Sequence, residues 1–126
     1  MAISLADEYT TPFFTFTAED IEANATDEVV DSTSGTFYTL HVNNTANAST
    51  QVYVKLWDNN NASNVTVGTT DPDWVFPVAG GKTKQFCFPD GFAYGTGLVM
   101  ACLTAAGTAG TTGPTSAVIV RIGLTT

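Results

Sequence analysis

Gln51-Val52-Tyr53-Val54-Lys55-Leu56-Trp57 decides the fold class. Val52, Val54 and Leu56 fall on one face of an extended chain and Tyr53, Lys55 and Trp57 on the other. This period of two belongs to a strand and not to a helix. Thr36–Asn43 repeats the pattern, with Phe37, Thr39 and His41 against Tyr38, Leu40 and Val42.

Working outward, Asp73–Val78 reads as a short strand that Pro77 confines to an edge, since proline has no N–H to give a ladder. Thr83–Phe88 is another strand, and Pro89-Asp90-Gly91 reads as a turn. Gly97–Thr104 is almost continuously apolar, as a strand buried on both faces would be. Thr115–Leu124 sets Ala117, Ile119 and Arg121 against Val118, Val120 and Ile122. Asn44–Thr50 reads as a hairpin connection, residues 58–72 and 105–114 as long loops, and Ala79-Gly80-Gly81 as a turn. Tyr9–Thr17 reads as an edge strand or extended arm because of Pro12. Thr17-Ala18-Glu19-Asp20 resembles a helix-capping box and predicts a helical turn or two over residues 18–25. Seven or eight short strands result. The expected architecture is all-β: a single antiparallel sandwich, jelly-roll-like or Ig-like, over residues 32–126, preceded by an extended acidic N-terminal arm over 1–31.

Length and composition agree with one such domain. The chain has 126 residues, 44% hydrophobic, 11% aromatic and only 13% charged. Thr, Ser, Asn and Gly take the place of the missing charge. The formal net charge is −8, from 12 acids and 4 bases. Too few Lys and Arg are present to displace counterions from phosphates, which argues against nucleic acid, and an anionic membrane surface repels the same charge. No apolar run approaches the ~20 residues that span a bilayer, and the first residues lack the basic and apolar regions of a secretory signal. The acid is concentrated: Asp7, Glu8, Glu19, Asp20, Glu22, Asp27, Glu28 and Asp31 precede residue 32, where no base occurs. Interspersed Phe13, Phe14, Phe16, Ile21, Val29 and Val30 suit an arm that docks on a partner better than a pure solvation tail.

Catalytic chemistry finds little material. His41, the single histidine, sits mid-strand, where a satisfied sheet residue is expected, and no HExxH, Walker A or GxGxxG signature occurs. Cys87 and Cys102, on consecutive strands, are either a hairpin disulfide or two small thiols, and without a sign of export the thiols are favoured. With one histidine they are too few for structural zinc. Asp58-Asn59-Asn60-Asn61 and Asp71-Pro72-Asp73 offer hard oxygen ligands of the kind calcium takes, but match no EF-hand loop and are explained by turn chemistry. Asp71, Asp73 and Asp90 fail as a glycosidase pair for the same reason. Neither a metal nor a cofactor is expected. Five Asn-x-Ser/Thr sequons, at Asn24, Asn43, Asn47, Asn61 and Asn64, follow from a composition rich in Asn and Thr. Tyr53, Trp57, Trp74 and Phe76 would stack on sugar rings if exposed, but their strand positions make them core residues first.

An ordered series of short motifs runs from Leu40 to Thr104: Leu40-His41-Val42-Asn43-Asn44, Val52-Tyr53-Val54-Lys55-Leu56-Trp57-Asp58, Val67-Gly68-Thr69-Thr70-Asp71-Pro72, Phe76-Pro77-Val78-Ala79-Gly80-Gly81, Phe88-Pro89-Asp90-Gly91-Phe92 and Gly97-Leu98-Val99-Met100-Ala101. In order and spacing it resembles small β-sandwich virion structural proteins of tailed bacteriophages, some of which are capsid cement (decoration) proteins. The resemblance covers about half of the chain and excludes the arm. It implies a non-enzymatic protein made in a bacterial cytoplasm and carried on the outer capsid surface of the virion. Its partner would be the major capsid protein, met at capsomer junctions by a homotrimer. A tail, baseplate or fibre component is the alternative within the virion. A carbohydrate-binding sandwich using loops 58–73 and 105–114 is the alternative outside it. The residues themselves suggest that the arm, through Tyr9, Phe13, Phe14 and Phe16, clamps a neighbour by adding a strand to an exposed edge.

Overall fold

A computed structural model describes residues 16–126. Eight strands form two four-stranded sheets: β1 (Phe16–Ala23), β2 (Glu28–Asp31), β3 (Gly35–Asn43), β4 (Val52–Trp57), β5 (Trp74–Val78), β6 (Thr83–Tyr94), β7 (Leu98–Leu103) and β8 (Val118–Thr125). One sheet has the order β1-β8-β3-β6 and the other β2-β7-β4-β5. Each of the first four strands pairs antiparallel with its counterpart counted back from the end: β1 with β8, β2 with β7, β3 with β6, β4 with β5. These are the pairings of one long hairpin, rolled up so that β8 also meets β3 and β7 also meets β4. That is a jelly roll, and it decides between the two topologies that alternation alone leaves open.

The core lies between the sheets. Val52, Val54 and Leu56 of β4 face Val42 and Leu40 of β3 and Val120 and Ile122 of β8, all essentially without solvent exposure. At the β5/β6 side seven rings fill the gap: Phe37, Trp74, Phe76, Phe86, Phe88, Phe92 and Tyr94. Phe37 touches five of them, with centroids 5.2–6.5 Å apart and Trp74, Phe76 and Phe88 edge-on. Pro77 occupies edge strand β5, opposite Tyr53, as its missing donor requires.

Four expectations change. The helix over 18–25 is replaced by β1: Ala18 lies opposite Ile122 and Ala23 opposite Val118, so both small side chains meet the core. Asp20, instead of closing a capping box, accepts the Glu22 N–H at 2.8 Å. The boundary at residue 31 falls inside the sandwich, because β1 and β2 are strands of the two sheets; of the expected arm, residues 1–15 lie outside the described residues. Pro89-Asp90-Gly91 does not turn the chain. Phe37 pairs with Phe92 and Thr39 with Cys87, so residues 88–91 bulge opposite Tyr38 within edge strand β6. Gly91 takes φ +68° there, and a Cβ would clash with the Thr36 side chain. Finally, 44–50 is a crossover between sheets, since β3 and β4 belong to different ones.

That crossover is held by two buried asparagines. Asn44 Nδ2 donates to the Thr50 and Ala79 carbonyls at 2.9 and 3.1 Å. Asn47 Nδ2 donates to Asn44 Oδ1 and to the Ser116 carbonyl at 2.9 and 3.0 Å, and Asn47 Oδ1 accepts the Ser116 N–H at 2.9 Å. Three connections are thereby joined. Asn47→Ala strands these partners, so it is expected to cost about 2–3 kcal/mol in urea unfolding, whereas exposed Asn64→Ala stays within about 0.5 kcal/mol. Equal effects of the two substitutions would refute the role of the network.

Candidate functional site

The outer faces of the two sheets differ. Trp57, Val99 and Ala101 point outward from β4 and β7 and are roofed by Ala62, Val65 and Val67 of the 58–73 loop. This is why Gly97–Thr104 reads as buried on both faces. The roof is fixed by polar contacts: Trp57 Nε1 donates to the Thr70 carbonyl at 3.0 Å, Asp73 Oδ2 accepts the Asp58 N–H at 2.7 Å, and Thr108 Oγ1 donates to Asp71 Oδ1 at 2.6 Å. Beneath the second loop lies Lys55, 1% exposed, whose Nζ donates to the Gly107 carbonyl at 2.6 Å; burial pushes its pKa down. Alternation placed Lys55 on the outward face but gave no sign that a loop covers it.

Asp58, Asp71 and Asp73 are structural. Asp58 Oδ1 accepts the Thr96 N–H at 2.8 Å and the Gly97 N–H at 3.3 Å, and Oδ2 accepts the Gly95 N–H at 2.8 Å. Desolvation alone would raise its pKa; the three donors outweigh it and hold the carboxyl below 3.8. Asp31 balances desolvation in the same way, against bonds from Tyr94 Oη (2.8 Å) and Thr33, and is also lowered. Asp90 lies on β6, in the sheet opposite to the one that carries the Asp71–Asp73 loop. Among the described residues no three His, Cys, Asp or Glu side chains come together as a metal site would need.

His41 lies half-buried on the bare outer face of the other sheet, between Arg121 and Gln85 in register, and Arg121 pairs with Glu19. No nucleophile or carboxylate is hydrogen-bonded to the imidazole among the described residues, and Nδ1 has no partner there. Cys87 is exposed and Cys102 buried, both as free thiols on strands of opposite sheets, so the hairpin disulfide does not form. Burial, with a contribution from Asp20, pushes the Cys102 thiol up to about 12. Trp57 and Phe76 are buried and unavailable for stacking on a sugar. Of the arm residues, Tyr9, Phe13 and Phe14 lie outside the described residues, and Phe16 opens β1 opposite Leu124. The sequons have a local explanation. Asn24, Asn43 and Asn61 each accept the N–H two residues on, at 2.7–3.0 Å, closing Asx turns, and Asn47 is buried.

Among the described residues, what remains open is the long side of the sandwich opposite the aromatic rings. Between edge strands β1 and β2 runs a cleft of about 270 Å³, lined by Ala18, Glu19, Asp20, Glu28, Val29 and Val30 over a floor of Met100, Val120 and Ile122. The only large exposed hydrophobic residues among those described, Ile21 (58%) and Val29 (42%), lie on these two strands. The sequence marked Ile21, Val29 and Val30 as unusual for a solvated tail; that Val29 and Val30 line a gap between the sheets depends on pairings with β7 and β8 that no local pattern encodes.

Compared with protein-family models, with curated proteins and with solved structures, the chain gives no match. Among the described residues no helix is long and apolar enough to cross a membrane.

Two outcomes follow from the titrating groups. Asp31 and Asp58 have folded-state pKa values below the ordinary 3.8, so the stability they contribute is present above about pH 4 and lost as pH falls through their folded values. In urea unfolding Asp58→Asn should therefore lower stability at neutral pH by about 1 kcal/mol and flatten the acid limb; an unchanged acid limb would contradict the assignment. With a thiol reagent, Cys87 should react in the native protein and Cys102 only on unfolding. Two thiols reacting at one rate would show that the core does not shield Cys102.

Proposed function

We propose that the chain is a non-enzymatic virion structural protein of a tailed bacteriophage, a capsid cement or decoration protein. It binds the major capsid protein on the outer shell at capsomer junctions as a homotrimer. The observation that carries this reading is the division of labour among its polar residues. The acids and asparagines weighed as ligands serve as loop clamps, and no catalytic grouping forms among the described residues, while one bare sheet face and one open edge cleft are left for adhesion. Jelly rolls are common among viral shell and lectin domains, which is a likeness of architecture and not of function. The motif series from Leu40 to Thr104 supports the virion side. Burial of Trp57 and Phe76 weighs against the sugar-binding one. A surface low in charge loses little in desolvation when it packs on a shell, and several modest contacts per trimer make release slow.

The test is mass by light scattering, followed by addition to shells stripped of accessory proteins. A trimer that occupies the shells and raises their rupture temperature is expected; a monomer that leaves the shells bare would overturn the proposal. Removing residues 1–15, and not 1–31, spares β1 and β2. This deletion should leave the melting temperature nearly unchanged and lower shell occupancy, if Tyr9, Phe13 and Phe14 clamp a neighbour.

A further inference from the structure

We propose that the cleft between β1 and β2 is a docking slot for an extended segment of a partner protein that alternates aliphatic with basic side chains. Three independent features point to this occupant. The floor is apolar, and about 270 Å³ is below the ~300 Å³ lower end of small-molecule sites, so it suits one or two side chains. The walls are acidic: Asp20 and Glu28 line the cleft together with Glu19, whose carboxylate is paired with Arg121, and Glu22 and Asp27 lie on β1 and the turn that follows it. Both walls are sheet-edge strands, so each offers unpaired backbone to a strand laid beside it.

Acids on an edge strand also guard against accidental pairing. Guarding does not need Val29 exposed at the wall of a cleft, nor a cleft that leads down to the nearly buried Met100, Val120 and Ile122. The opposite side of the sandwich shows the alternative, since there rings fill the same gap.

Charge selects among occupants. The chain's own residues 1–15 bring Asp7 and Glu8 and no Lys, Arg or His, so they lack the basic side chains that acidic walls favour. A second copy has little to offer. Lys55 is buried, Arg121 is paired with Glu19, and Lys82 and Lys84 alternate with Thr83 and Gln85 and not with aliphatic residues. Lys84 already lies over the Phe86 ring, 4.7 Å from its centroid. A foreign segment with Lys or Arg beside Leu, Ile or Val satisfies floor and walls together.

The inference names the contact chemistry of the proposed shell binding and rests on that reading only for the partner's identity. Its test therefore uses no shell. A ribosome-displayed library of short random peptides is selected on the full chain, and the best peptide is synthesised. Selected sequences should alternate aliphatic with basic residues, bind more weakly as salt rises, and shift amide resonances of residues 18–20, 28–30 and 120–122. Asp20→Asn and Glu28→Gln, used once their melting temperatures match the parent's, should each weaken binding about two- to fivefold. No enrichment, peptides without basic residues, or binding indifferent to both substitutions would overturn the proposal. A self-association abolished by Asp20→Asn/Glu28→Gln would instead assign the slot to a second copy. Peptide selection that succeeds while shells stay bare removes the virion reading and keeps the slot; the reverse removes the slot alone.

Discussion

Phe37 stands at the centre of the constraint on which the rest of the sandwich depends. Two stacked sheets leave two long sides to be closed, and close-packed interiors do not tolerate a gap the size of a side chain without loss of contact. On the β5/β6 side the closure is aromatic. Phe37, fully buried, presents its ring to Trp74, Phe76, Phe88, Phe92 and Tyr94, and edge-on contacts let large planes meet at a narrowing seam. Half of the chain's 14 Phe, Trp and Tyr residues are spent there. Among the described residues the β1/β2 side receives Ala18, Asp20, Glu28 and Val30, which leave a cleft in the equivalent space.

The β-sandwich was legible because burial follows the pleat. Val52, Val54 and Leu56 are inside as alternation requires, and the apolar run at 97–104 is covered on both faces. Residues 16–31 were not legible as strands. Their inward positions are occupied by Ala18, Asp20 and Ala23, too small or too polar to show a period of two, while Thr17-Ala18-Glu19-Asp20 carries a local helix signal. What overrides that signal is the free edge of β8, whose backbone groups pair with β1 from Phe16 to Ala23. The same holds at Pro89-Asp90-Gly91, where turn letters become a bulge because β3 continues alongside. Local chemistry was right about a backbone irregularity and silent about its partner.

The low charge content also acquires a physical account. A jelly roll needs many crossings between sheets, and each leaves backbone groups to satisfy. Here neutral and acidic side chains do this at short range. Asn24, Asn43 and Asn61 close Asx turns, Asn44 and Asn47 bridge three connections from inside, and Asp58 gathers three N–H groups. Asparagine carries both donor and acceptor on a short, stiff side chain, so it satisfies such groups with less entropy lost than a lysine or arginine would need. A composition that resembles low complexity is in this sense specific, and the sequons are a by-product of it.

These assignments bear on where a partner can bind. The 58–73 and 105–114 loops are tied down by Trp57, Asp71, Asp73 and Lys55, so reshaping them on binding would break several hydrogen bonds at once. On the outer face of the β1-β8-β3-β6 sheet Glu19, Arg121 and Gln85 are exposed, yet the row they form with His41 is polar and partly paired with itself. The β1/β2 edge differs from both. Its apolar floor is already formed, Ile21 and Val29 on its strands are already in water, and its acids outnumber its single base, Arg121, which pairs with Glu19. Binding there would bury apolar surface and neutralise acid in one step while breaking little that the fold uses. By that balance of gain against loss, the edge that the aromatic seam leaves open is the surface best prepared to adhere.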